Sequence, residues 1–165
     1  MIALKNILVA TDFGEASGAA LTYGRALARC FQAKLHVLYV CENVFTRGLG
    51  SDAYVAVFPD LQKDVEETSQ KQLEDLLTDD DRSVLAAAAV VVTSNMPAVA
   101  IVQYSKDAEI DLIVMGTHGR GAVAHLLMGS VAERVVRTAP CPVLTVRHPE
   151  HEFVLPDALV AVAKV

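Results

Sequence analysis

Short apolar runs alternate along the chain with segments whose apolar residues recur every three or four positions. Lys5-Asn6-Ile7-Leu8-Val9-Ala10-Thr11 is a β-rich run that stops at Asp12-Phe13-Gly14, the pattern of a buried strand giving way to a turn. From Glu15 to Phe31 the residues Ala19, Ala20, Tyr23, Ala26, Leu27 and Cys30 fall at helical spacing and predict a helix with one buried face. Lys34 to Cys41 reads as a second strand. Glu42 to Pro59 reads as a long loop punctuated by Gly48, Gly50 and Ser51, and loops of that length often carry function. Leu61, Val65, Leu73, Leu76 and Leu77 trace an amphipathic helix, closed by what reads as a solvated run from Thr78 to Ser83. A third strand is expected at Val84 to Thr93, and a helix entered through Pro97 runs towards Lys106. Glu109 to Met115 is apolar along most of its length, as a strand covered on both faces must be. Val131 to Thr138 predicts a last helix and Pro142 to Val146 a fifth strand.

Strands and helices therefore alternate from end to end, which predicts an α/β fold with a parallel sheet. No composition break marks a second domain, so residues 1–147 read as one domain and 148–165 as a C-terminal extension. Right-handed crossovers and helices on both faces predict a doubly wound, Rossmann-like, five-stranded parallel sheet of order 3-2-1-4-5. In that order strands one and four are neighbours whose following segments leave to opposite faces. A crevice opens between their carboxyl ends, where open α/β sheets bind ligands.

Composition narrows the classes of ligand. A chain of 165 residues is long enough for one core, and its formal net charge of −6 offers no footprint for wrapping DNA or RNA. The longest apolar run, Leu85 to Val92, falls well short of the ~20 residues of a membrane span. Met1 to Asn6 lacks the marks of a secretory signal, so a cytoplasmic protein is expected. Cys30, Cys41 and Cys141 sit in apolar settings without C-x-x-C spacing, and buried thiols are expected in place of disulfides or zinc.

The chemistry concentrates where strand four runs into Gly116-Thr117-His118-Gly119-Arg120-Gly121, followed by Gly129-Ser130 at the start of a helix. The spacing is G-x2-G-x9-G-S. Gly116 and Gly119 lack a Cβ, which permits positive φ and lets backbone N–H groups approach an anion. Gly129-Ser130 adds a helix N-terminus, favourable to negative charge, and a hydroxyl. These features make a phosphate cradle.

At this point the chain resembles the universal stress protein family, whose ATP-binding members carry the same glycine spacing after the fourth strand. The likeness extends to Ile7-Leu8-Val9-Ala10-Thr11-Asp12-Phe13, to Asp111 through Gly119, to Gly129 through Val136 and to Ala139 through Val146, about residues 3 to 147 in all. The resemblance implies ATP, with Mg2+, as the ligand. It implies backbone contacts from Val40 to adenine, Thr11 and Asp12 around the ribose or a metal ion, and Met115, Gly116, Gly119, Arg120, Gly129, Ser130 and Val131 around the phosphates. The chain departs from the family at Gly14, where many relatives have serine, and at Ser94-Asn95, which replaces a glycine.

Plainer readings stand beside these. Asp12 can serve as a helix N-cap, and Ser130 with Glu133 forms a capping-box pattern. Arg120 can be a solvated loop charge, and His118 has no nucleophile placed beside it by the sequence. The expected function is an ATP-binding, nucleotide-dependent stress-response or regulatory module. A slow metal-dependent ATP hydrolase and a dimeric interaction module that never uses nucleotide are the alternatives. Strand five should lie at the sheet edge, and the family commonly pairs it with its twin, which implies a homodimer through Val143 to Val146. The apolar tail beyond Arg147 is expected to dock near that strand and reach across the dimer.

Overall fold

The computed structural model describes residues 2–44, 60–118 and 128–148. Five parallel strands make one sheet: β1 (Asn6–Thr11), β2 (Lys34–Cys41), β3 (Ala88–Thr93), β4 (Leu112–Gly116) and β5 (Val143–Val146), in the order β3-β2-β1-β4-β5. Five helices connect them: α1 (Glu15–Phe31), α2 (Leu61–Leu76), α3 (Asp79–Val84), α4 (Pro97–Asp107) and α5 (Ser130–Thr138). The strand order and the parallel pairing are those expected. The predicted loop from Glu42 to Pro59 is described only through Val44, and of the tail expected at 148–165 all but His148 lies outside the described residues.

Strand geometry sends alternate side chains to opposite faces, and the core divides accordingly. Ile7, Val9, Leu35, Val37 and Val114 point to one side, where Ala20, Leu21 and Ala28 of α1 and Leu73 of α2 cover them. Leu8, Ala10, Leu38, Ile113 and Met115 point to the other, under Ala98 and Ile101 of α4 and Ala132 and Val135 of α5. Burying a Val, Leu or Ile side chain contributes about 1.5–3 kcal/mol, so the two half-cores hold the helices to the sheet. Because β1 is followed by a helix on one face and β4 leads to a helix on the other, the carboxyl ends of these two neighbours are left uncovered.

The segment between α2 and β3 departs from expectation. Its residues 79–84 form α3, and β3 begins at Ala88, four residues after the expected Val84. Asp81, expected in a solvated run, is fully buried. Thr78 accepts from the Asp81 N–H at 3.1 Å and donates its own N–H to Asp81 Oδ2 at 3.0 Å, a reciprocal capping box. Arg25 of α1 closes on the same carboxylate from Nε and Nη2, at 3.0 Å to Oδ1 and 2.7 Å to Oδ2. Burial pushes the Asp81 carboxyl up, but the hydrogen bonds from Arg25 and Thr78 outweigh it and hold the group below the usual carboxylate range. A contact across 56 residues leaves no trace in local periodicity.

Smaller differences have local causes. β4 starts at Leu112 and not at Glu109, because Glu109 takes a left-handed φ of 49° in a turn. Asp111 then accepts from the Lys5 and Asn6 N–H groups at 2.6 and 2.9 Å, which fixes β4 beside β1. Cys41 is buried and Cys141 half-buried, as apolar settings suggest, but Cys30 lies on the exposed face of α1.

Candidate functional site

A cavity of about 760 Å³ opens at the carboxyl ends of β1, β2 and β4, bounded on one side by the first turn of α5. Its volume is that of small-molecule sites generally. Thr11, Asp12, Val40, Met115, Gly116, Gly129, Ser130 and Val131 all line it. Gly119 and Arg120 lie outside the described residues.

One lip is the turn after β1. Phe13 donates its N–H to Thr11 Oγ1 at 3.0 Å, Thr11 donates to Ser17 Oγ at 3.1 Å, and Ser17 donates to the Gly14 carbonyl at 2.9 Å. Asp12 Oδ1 accepts from the Gly14 N–H at 3.0 Å. Phe13 sits at φ 63°, a left-handed conformation that costs a non-glycine residue about 1–2 kcal/mol. The N-cap of α1 is Gly14, with no side-chain bond, so Asp12 is not the helix cap. Its carboxylate braces the turn and borders the cavity.

The other lip is the N-terminus of α5. Gly129 is the N-cap, again with no side-chain cap bond, so the capping box suggested by Ser130 and Glu133 does not form. Ser130 is the first helical residue and is exposed, and Glu133 pairs with Arg137 at 2.9 Å. The Gly129 N–H donates to the Thr117 carbonyl at 2.7 Å. The N–H groups of Ser130, Val131 and Ala132 have no acceptor within the helix, as in any first turn, and these residues border the cavity. That arrangement favours an anion.

The floor lies between the lips. Lys34 donates its N–H to Lys5 on the β1 side, whereas the Cys41 carbonyl accepts from Ser94 on the β3 side. Backbone groups alternate along a strand, so those of Val40 face β1. The β1–β2 register ends at Thr11 opposite Tyr39, which leaves Val40 just past the end of β1, at the cavity. Leu38, Val65, Pro97, Ile101 and Met115 supply an apolar slot around it.

Gly116 has a role other than the one its sequence suggested. No described glycine has positive φ. A Cβ at Gly116 would lie 2.9 Å from the backbone carbon of Ala16, so its absence lets the first turn of α1 sit against the end of β4. Sequence reasoning missed Ser17, Tyr39 and Thr117, which also line the cavity. Tyr39 packs on Phe13 with ring centroids 4.7 Å apart, and Thr117 Oγ1 lies 3.0 Å from His118 Nδ1. The signal for Ser17 was a small polar residue in the first turn after the strand, on the side of the helix that returns over the strand end.

Residues 3–147 match the sequence profile described as the universal stress protein family. The chain belongs to the universal stress protein family. A universal stress protein of Thermus aquaticus is 35% identical over 144 residues, covering 87% of this chain and 98% of that protein. The solved universal stress protein UspA from Lactobacillus plantarum superposes with a TM-score of 0.74 at 27% identity, covering 89% of this chain and all of that one. A universal stress protein solved in complex with cAMP gives a TM-score of 0.56 over 88% of this chain and 98% of its own, and at 22% identity it speaks for the fold alone. The family likeness read from the glycine spacing and the strand motifs is thereby established for the chain.

Proposed function

We propose that the protein binds an adenine nucleotide, ATP with Mg2+, in the crevice and acts as a nucleotide-dependent module of a stress response. The observation that carries this reading is convergence. An apolar slot with the Val40 backbone at its edge, the Asp12 carboxylate, and the open first turn of α5 border one cavity. They are ordered as base, sugar and phosphate are ordered in a nucleotide. A universal stress protein of this fold was solved in complex with cAMP, itself an adenine nucleotide, so the fold accommodates such a ligand.

Among the described residues no group of three His, Cys, Asp or Glu is placed to hold a metal ion. The donor set nonetheless fits Mg2+, which is usually held by one or two carboxylates together with substrate phosphates and water. Asp12 would be the protein's contribution, and the ion would offset charge on the phosphate oxygens. Assembly completes the proposal: β5 is an edge strand, its Val143, Leu144 and Thr145 are half-buried, and pairing with a second copy would cover it.

Native mass spectrometry of freshly purified protein, with calorimetry against ATP, AMP and GTP in the presence and absence of Mg2+, tests the reading. Copurified adenine nucleotide, or binding that prefers ATP to GTP and tightens with Mg2+, is the expected result. No copurified nucleotide and no adenine preference at millimolar concentration would refute it.

A further inference from the structure

We infer that Ser17 is a positioning residue for the sugar end of the crevice, fixing through its hydroxyl how well the site distinguishes a ribose from a deoxyribose. The inference rests on the adenine-nucleotide reading above and adds a residue that the motif leaves out.

Ser17 is 4% exposed and lines the cavity from the first turn of α1. Each hydroxyl carries one proton, and the proton directions in this network are therefore determined. The Phe13 N–H is donated to Thr11 Oγ1, the Thr11 proton to Ser17 Oγ, and the Ser17 proton to the Gly14 carbonyl, at 3.0, 3.1 and 2.9 Å. The Asp12 N–H points to the same Ser17 oxygen at 3.4 Å. Ser17 thus holds three of the four residues of the turn: the side chain of Thr11, the backbone of Asp12 and the backbone of Gly14.

The turn needs that hold. Phe13 in its middle has φ 63°, a conformation that persists only where surrounding contacts over-determine it. Asp12 lies between the strained residue and the end of β1, so any relaxation of Phe13 swings the carboxylate. A carboxylate meeting a sugar hydroxyl depends on aim: hydrogen bonds weaken steeply once they bend. Ser17 need touch no part of the nucleotide. It acts by keeping Thr11 and Asp12 aimed.

The test measures dissociation constants for ATP, 2′-deoxy-ATP and 3′-deoxy-ATP by calorimetry on the full chain, for wild type and for Ser17→Ala, Ser17→Cys and Ser17→Thr. Wild type should prefer ATP to at least one deoxy analogue. In titrations without Mg2+, where Asp12 has no ion to hold, Ser17→Ala should shrink that preference by about fivefold, the worth of one ordinary hydrogen bond, while binding of the deoxy analogues themselves changes little. Ser17→Thr, which keeps the hydroxyl, should restore it. If the alanine variant fails to fold by circular dichroism, Ser17→Cys preserves the packing with a weak hydrogen-bonding group and should show the same loss. A folded Ser17→Ala or Ser17→Cys protein with the wild-type preference overturns the inference, and so does a wild type that binds ATP and both deoxy analogues equally. A wild type that binds no adenine nucleotide refutes the proposed function itself, and this inference falls with it.

Discussion

The two lips of the crevice are built from the same small polar residues and use them differently. In the turn after β1, the hydroxyls of Thr11 and Ser17 are bonded to each other and to the backbone, and Asp12 Oδ1 holds the Gly14 N–H. At the start of α5, Ser130 makes no cap bond and three first-turn N–H groups lack an intrahelical acceptor. The first lip is braced by its own hydrogen bonds; the second offers N–H donors that its helix does not use. The contrast suits two neighbouring parts of a nucleotide, its sugar and its phosphates. A neutral sugar is recognised by aim, which needs a stiff frame, whereas an anion is recognised by unspent donors and a helix dipole.

Gly116 is where the lips meet, and substitution there should give the largest effect. It ends β4, leads into Thr117 and His118, and lies under the first turn of α1. In Gly116→Ala the new methyl would stand 2.9 Å from backbone and side-chain atoms of Ala16, and a backbone neighbour cannot rotate away. Overpacking of this kind costs about 1–3 kcal/mol, or roughly 3–9 °C in Tm for a chain of this size. Because both lips shift, ATP affinity should fall about tenfold, the equivalent of ~1.4 kcal/mol. Calorimetric melting and titration of the variant check both numbers. A stable protein with normal affinity would mean that α1 is not seated against β4 as described.

How much of this was legible in the sequence follows the same division. The α5 lip is written in consecutive residues, Gly129-Ser130 after a glycine-ended strand, and its position could be read directly. The residues of the β1 lip were readable too, since Thr11 and Asp12 end an obvious strand. Its internal bonding was not, because Ser17 falls inside a helical pattern where it looks like any small residue. Asp81 is hidden from the sequence for a related reason: three consecutive aspartates look solvated until Arg25 arrives from α1. Sheet order was readable because apolar strands and right-handed crossovers leave few alternatives. The separation of α3 from β3 was not, because a tertiary ion pair and a capping box decide it.

β2 runs from the closed base of the sheet to the crevice, and its far end is built differently from either lip. His36 is buried there, with Nδ1 2.8 Å from the Tyr104 hydroxyl and Nε2 without a hydrogen-bond partner among the described residues. Burial, with Lys34 nearby, pushes its pKa below 6.5. The unfolded chain therefore binds a proton more readily than the folded one. The stabilising effect of a neutral His36 is complete above pH 6.5 and is lost as the pH falls below that value towards the lowered folded pKa. Urea unfolding at pH 7.5, 6.0 and 5.0 should show stability falling by no more than about 1.4 kcal/mol per pH unit from this group. His36→Phe should flatten that slope and leave ATP binding at pH 7.5 unchanged, since His36 is outside the crevice. An unaltered slope in the variant would assign the pH dependence to other groups.

The smallest effect on stability is expected where the open lip is most exposed, at Ser130. Its hydroxyl is not used by α5, in contrast to Thr78, whose side chain caps α3. Thr78→Ala should therefore cost about 1 kcal/mol, the ordinary worth of a cap. Ser130→Ala should stay within about 0.5 kcal/mol of wild type, as surface substitutions usually do. Ligand binding should reverse the ranking. A hydroxyl donating to a charged phosphate contributes more than a neutral hydrogen bond, so Ser130→Ala should weaken ATP by roughly tenfold and leave adenosine untouched. Thr78→Ala should change neither affinity. Chemical denaturation and calorimetry of the two variants, with ATP and adenosine as paired ligands, separate the outcomes. A stability loss in Ser130→Ala comparable to that of Thr78→Ala would show that the hydroxyl caps its own helix in solution. Equal weakening of ATP and adenosine would move Ser130 away from the phosphates and remove the chemical difference between the lips.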